Sequence, residues 1–254
     1  MRRRLIIIVL VVAAMCAHTG PASELSIAAA SDLVFCLEDL NRAFNKAHPE
    51  IVLKLITGAS GNLFAQISHG APFDIFLSAD MRYPRELIKS GFAQPESLTL
   101  YAIGHLVVWT ASDAVDISSG IRSLAAPGIR KIAIANPEHA PYGRAAKAAL
   151  AHFDVWDAVQ EKLVFGENIA QTAHFVETGN ADVGIVALSI VLAPALTAKG
   201  RWVEVPAHSY PTLEQGAVVT RTGASNPASR LYIEFLRTAE ARTIFDRFGF
   251  RLPQ

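Results

Sequence analysis

The sequence predicts an α/β fold with a largely parallel sheet. Three observations carry that expectation. Short apolar runs recur along the chain. Several of them end in small or hydroxylated residues, and apolar positions at helical spacing follow. This strand, turn, helix order then repeats through most of the chain.

Leu25 to Ala30 is the first apolar run, and it ends in Ser31-Asp32. Leu33, Leu37, Leu40 and Phe44 then follow at helical spacing, with Ser31 or Asp32 where an N-cap belongs. Pro49 stops that helix. Ile51 to Ile56 alternates as a strand does, and Gly58-Ala59-Ser60-Gly61 turns into a helical pattern through Leu63, Phe64 and Ile67. Asp74 to Leu77 is a short strand before Ser78-Ala79-Asp80 and a helix over Glu86 to Lys89. His105 to Thr110 is a longer, very apolar strand. Ile132 to Ala135 opens a second series, running through Asn136 to Gly143 into an alanine-rich helix over Arg144 to Ala151. Strands at Leu163 to Phe165 and Val183 to Val186 flank a helix over Asn168 to Glu177. Late strands fall at Val203 to Val205 and Ala217 to Thr220, and amphipathic helices cover Ala228 to Thr238 and Glu240 to Phe248.

The first residues read as a secretory leader. Arg2 to Arg4 are basic, Leu5 to Ala14 are apolar, and small residues follow to Ser23. The apolar run is shorter than the roughly 20 residues needed to span a bilayer. About 230 of the 254 residues remain without it, enough for one large core or two domains. Two domains would be joined by crossing strands near His105 and near Gly216. Beyond the leader the chain has one cysteine, Cys36, which reads as a small buried residue on a helix. With 23 basic and 23 acidic residues and no basic stripe, nucleic acid is not an expected partner. Trp109, Trp156 and Trp202 sit in apolar contexts and are expected in cores.

The chemistry lies at the strand-to-helix junctions: Ala30-Ser31, Gly58 to Gly61, Pro141 to Gly143 and Asn168-Ile169. A helix start offers unpaired N–H groups and the positive end of a dipole, which bind anions without a cationic side chain. Each junction alone reads more readily as capping or turn chemistry than as a ligand site. Their number, without a competing catalytic set, favours an anion site. There is no phosphate loop of Walker type, no G-x-G-x-x-G and no metal-type histidine pair. Asn62 stands where a nucleophile elbow needs its last glycine. His139 beside Glu138 reads as a loop-surface or capping group.

Ala28 to Leu33, Gly58 to Gly61, Gly70 to Asp80 (GAPFDIFLSAD) and Asn136 to Gly143 (NPEHAPYG) resemble the periplasmic molybdate-binding proteins of ABC transporters, in order and spacing across nearly the whole chain beyond the leader. The resemblance implies a type II periplasmic binding fold, with two α/β domains linked by two crossing segments around a ligand cleft. The expected limits are 1–23 for the leader, 24–104 with 216–254 for the first domain, and 105–215 for the second. The implied function is capture of molybdate, and of tungstate with it, for delivery to a membrane permease. The implied protein is a periplasmic monomer with no cofactor, no bare-metal site and no enzymatic activity. By position, Ser31 and Ser60 are implied as ligands from the first domain. Tyr142 and Ile169 are implied from the second through backbone N–H groups, and Asp32 through its own. The chain departs from one branch of the family in having Ala187 where that branch has a tyrosine. The Asp32 carboxylate is expected to turn away from a dianion and cap the helix. Sulfate or phosphate is the alternative ligand, phosphate requiring an acceptor that only an inward-facing Asp32 could supply. An exported hydrolase using Ser60 is the distant alternative, and it lacks a histidine base at a recognisable position.

Overall fold

The computed structural model describes residues 23–252; the expected leader therefore lies outside the described residues except for Ser23, which already opens the first strand. In chain order the elements are β1 (Ser23–Ala30), α1 (Val34–Ala47), β2 (Ile51–Gly58), α2 (Ser60–Ser68), β3 (Ile75–Ser78), α3 (Arg82–Lys89), β4 (Thr99–Gly104) and β5 (Leu106–Thr110). They continue with β6 (Ile132–Ala135), α4 (Pro141–His152), α5 (Trp156–Val159), β7 (Leu163–Gly166), α6 (Ile169–Glu177), β8 (Val183–Ala187) and α7 (Leu188–Val191). The last are β9 (Arg201–Glu204), β10 (Leu213–Val219), α8 (Pro227–Phe235) and α9 (Ala239–Arg247).

The strands form two five-stranded sheets, ordered β2-β1-β3-β10-β4 and β7-β6-β8-β5-β9, each the centre of a sheet-and-helix domain. The chain leaves the first sheet after Gly104 and enters the second at Leu106, with only His105 between. It returns through residues 205–212 into β10. The crossing expected near Gly216 therefore falls inside β10, at the irregularity between Gln215 and Gly216.

Both sheets are mixed, which corrects the expectation of a largely parallel one. β1 runs parallel to β2 and β3, and β6 parallel to β7 and β8. β10 is antiparallel to β3 and β4, and β5 to β8 and β9. The parallel pairs are those joined by crossover helices. β5 and β10 are the strands that enter from the other domain, so no crossover helix on their own sheet sets their direction.

Residue chemistry accounts for the layers. Ile132 to Ala135 is buried along its whole length, as an inner strand covered on both faces must be. α1 buries Cys36, Leu37, Leu40 and Phe44 along one stripe, so Cys36 is the buried helical residue expected. That stripe packs with Tyr232 and Phe245 of α8 and α9 on one face of the first sheet. Leu63, Leu87 and Phe76 fill the other face. Trp109 belongs to the core of the second domain, whereas Trp202 is 40% exposed. It lies on the edge strand β9, at the rim of the sheet, opposite Trp109 of the inner strand β5.

Candidate functional site

β1, β2, β6 and β7 each deliver the chain to a helix start at their carboxyl ends, where open α/β sheets gather ligands. Ser31 and Asp32 begin a 3-10 turn directly after β1. Ser60 is the first residue of α2, Tyr142 the second of α4, and Ile169 the first of α6. All five expected site residues line one small cavity between the domains, together with Ala30, Gly58, Ala59, Ala79, Ala140 and Pro141. The lining contains no Lys, Arg or His, and Asp32 is its one charged residue type. A larger, open groove beside α8 gathers none of these helix starts.

The helix starts are arranged so that particular donors remain. In α6 the Asn168 side chain accepts from the N–H groups of Ala170 and Gln171, both at 3.0 Å. The Ile169 N–H, one residue earlier, has no acceptor within the helix. In α4 the first residue is Pro141, which has no N–H, so Tyr142 supplies the first one. In α2 the Gly61 N–H donates to the His139 carbonyl at 2.9 Å, across the domain boundary. The Ser60 hydroxyl accepts from the Ala79 N–H at 3.0 Å, which leaves its own proton to be donated. The cavity thus presents hydroxyl groups and dipole ends, a donor set suited to an anion.

Asp32 departs from expectation. No side-chain cap is made at the start of the 3-10 turn or of α1. The carboxyl group is instead buried, and its Oδ2 accepts from the Tyr142 hydroxyl at 3.0 Å. The reason lies in the backbone: β1 exits into a tight 3-10 turn, which turns the side chain inward toward the second domain. Burial pushes the Asp32 carboxyl up to about 7, against the hydrogen bond from Tyr142, which favours the ionised form. Oδ1 has no hydrogen-bond partner among the described residues. Burial, and then the neighbouring Asp32, hold the Tyr142 phenol well above its ordinary value.

Sequence reasoning missed three groups around this pair. Gln215 of β10 donates to the Tyr142 hydroxyl at 3.4 Å and accepts from Tyr101 at 3.2 Å. Ser189 of α7 donates to the Asp32 carbonyl at 2.7 Å. A glutamine and a serine inside otherwise apolar segments were the available signal, since buried polar groups require partners. Gly104 also belongs here, because a Cβ at that position would lie 2.1 Å from the Tyr142 hydroxyl. Ala187 ends β8 buried and is not among the lining residues. His139 pairs with Glu138 at 3.7 Å on the surface.

Comparison with known proteins places this architecture. A family profile described as bacterial extracellular solute-binding protein matches residues 25–251. The chain belongs to that family. The molybdate-binding protein ModA of Azotobacter vinelandii is 35% identical over 243 residues, covering 94% of each chain. ModA of Rhodobacter capsulatus is 39% identical over 194 residues, covering 76% of this chain and 75% of that one. The solved structure of the Azotobacter vinelandii periplasmic molybdate-binding protein superposes with a TM-score of 0.85, covering 91% of this chain and 100% of that one, at 35% identity. The sulfate-binding protein SubI of Mycobacterium tuberculosis shares the fold, with a TM-score of 0.72 at 16% identity.

Proposed function

We propose that the protein captures molybdate, and tungstate with it, between its two domains and delivers the anion to the permease of an ABC importer. The observation that carries this reading is the cavity where four helix starts and the Ser31 and Ser60 hydroxyls converge without a cationic side chain. The two ModA relatives, alike over most of their length, supply the identity of the anion. Molybdate is fully ionised at neutral pH and only accepts hydrogen bonds, so the hydroxyl and backbone N–H donors of the cavity are complementary to it. Ser31 and Ser60 donate through their hydroxyls, and Tyr142 and Ile169 through backbone N–H groups. Asp32 contributes its backbone N–H, while one oxygen of its carboxyl group, Oδ2, accepts from the Tyr142 hydroxyl.

Closure follows from this division. Ser31, Asp32 and Ser60 stand on the first domain, Tyr142 and Ile169 on the second. An anion has its full donor set only when the domains meet, so binding shifts the population toward the closed form. The permease can then distinguish loaded from empty protein. The moving bodies in this reading are residues 24–104 with the chain from β10 onward, and the segment between. The protein works as a monomer exported to the periplasm, with no nucleic-acid partner and no catalytic role. Ser60 has the Ala79 N–H as its partner, and the cavity lining offers no histidine or lysine to act as its base.

Titration of molybdate by calorimetry tests this directly. Ser60→Ala should weaken binding by about 1.5–3 kcal/mol, as for a hydrogen bond to a charged group, or roughly 10- to 150-fold. Unchanged affinity removes Ser60 from the site. An oxyanion that keeps a proton, such as hydrogen phosphate, is the second reading. Asp32 favours it, as a buried carboxylate in the lining with one unpartnered oxygen.

A further inference from the structure

Beside the cavity, but outside its lining, a cluster of contacts joins the two domains. Arg144 of α4 donates from Nη2 to Asp80 Oδ2 at 2.7 Å and from Nη1 to the Tyr83 hydroxyl at 3.2 Å. Its guanidinium also lies 5.5 Å from the centre of the Tyr83 ring. Asp80 and Tyr83 belong to the first domain and Arg144 to the second. Asp80 is held in place on its own side: its Oδ1 accepts from the Arg82 N–H at 2.8 Å, and its backbone is tied to the Ser78 hydroxyl. The ion pair is about three-quarters buried, with 29% and 27% of the two side chains exposed. Next to the Tyr83 hydroxyl, the Gly61 N–H donates to the His139 carbonyl. A Cβ on Gly61 would lie 2.6 Å from that carbonyl oxygen and 2.8 Å from the Tyr83 hydroxyl, so the approach of the domains here requires glycine.

We propose that Arg144, Asp80 and Tyr83 form a clasp that sets the rate at which the bound anion is released, without touching the anion. This rests on the reading of the protein as a two-domain anion-capture protein. Its physical basis is that the Arg144–Asp80, Arg144–Tyr83 and Gly61–His139 contacts each span the domain boundary. Opening the cleft breaks the ion pair, the phenol contact and the Gly61 bond together, and each must form again for the domains to close. Binding of the anion to one domain precedes closure and does not use them. The clasp therefore acts on dissociation and leaves association nearly unchanged. Because the pair is partly exposed, its contribution weakens with salt.

The test is stopped-flow measurement of molybdate association and release on the full protein and on Arg144→Met, which keeps the aliphatic stem and removes the charge. The expected result is release about 5-fold faster in the variant, with the association rate within about twofold. Raising the salt concentration should speed release from the wild-type protein and not from Arg144→Met. The exchanged pair Asp80→Arg with Arg144→Asp should recover part of the slow release that either single change loses. Wild-type release in Arg144→Met overturns the proposal, as does a salt effect that persists unchanged in that variant. Should the wild-type protein take up no molybdate, the functional reading fails, and the clasp is judged by small-angle scattering without added anion. There Arg144→Met should be more expanded than wild type, and equal compactness overturns the clasp.

Discussion

Replacing Asp32 by asparagine should stabilise the protein above neutral pH. The side chain is buried, its Oδ2 faces the Tyr142 hydroxyl, and its Oδ1 is unpartnered. Burial raises the carboxyl from 3.8 to about 7. The folded state therefore binds a proton more tightly than the unfolded chain. Stability from this group is fully present below the unfolded value and is lost as pH rises toward about 7. At ~1.4 kcal/mol per pKa unit the whole effect is about 4 kcal/mol, of which about 3 kcal/mol falls between about pH 5 and about pH 8. Asparagine fills the same space and carries no charge. Chemical denaturation of both proteins at the two pH values reads the difference. Wild type should lose about 3 kcal/mol relative to Asp32→Asn across that interval. His105, whose pKa burial lowers, is present in both proteins and cancels. Parallel pH profiles, or an Asp32→Asn protein less stable at the higher pH, would refute the claim that burial dominates at this carboxyl.

Other consequences can be checked separately. Burial lowers the His105 pKa, so the stability it contributes is present above the unfolded value near 6.5 and is lost as pH falls below it; His105→Gln should flatten that acid-side loss in thermal denaturation. Gly104→Ala places a Cβ against the Tyr142 hydroxyl; it should displace Tyr142 from Asp32 and weaken anion binding in calorimetry while the far-ultraviolet dichroism stays unchanged. Trp109→Ala empties a fully packed position in the second domain, and should cost about 3–5 kcal/mol in chemical denaturation.

What could be read from the sequence was what is local. Ser60 and Ile169 start helices because a glycine or asparagine turn follows a short apolar strand, and both signals lie within a few residues. The same holds for Ile132 to Ala135, where a continuous apolar run marks an inner strand. The Asp32–Tyr142 contact joins residues 110 positions apart, and Tyr101–Gln215 joins residues 114 apart. No periodicity or motif links such pairs, so nothing in the sequence pairs the Asp32 carboxyl with the Tyr142 hydroxyl. β4 was missed because Thr99 to Gly104 lacks a clear alternation and takes its place by pairing with β10, far along the chain. Trp202 was misplaced because an apolar context cannot tell an edge strand from an inner one.

The central claim is that a cavity of uncharged donors selects a tetrahedral dianion, and that the anion is molybdate. A thermal-shift panel of molybdate, tungstate, sulfate and phosphate on the wild-type protein tests it most directly. Ligand at about 1,000 times its Kd adds ~4 kcal/mol of stability. Molybdate and tungstate should each raise the melting temperature by several degrees, with sulfate and phosphate far behind. A shift with sulfate or phosphate and none with molybdate or tungstate would contradict the account.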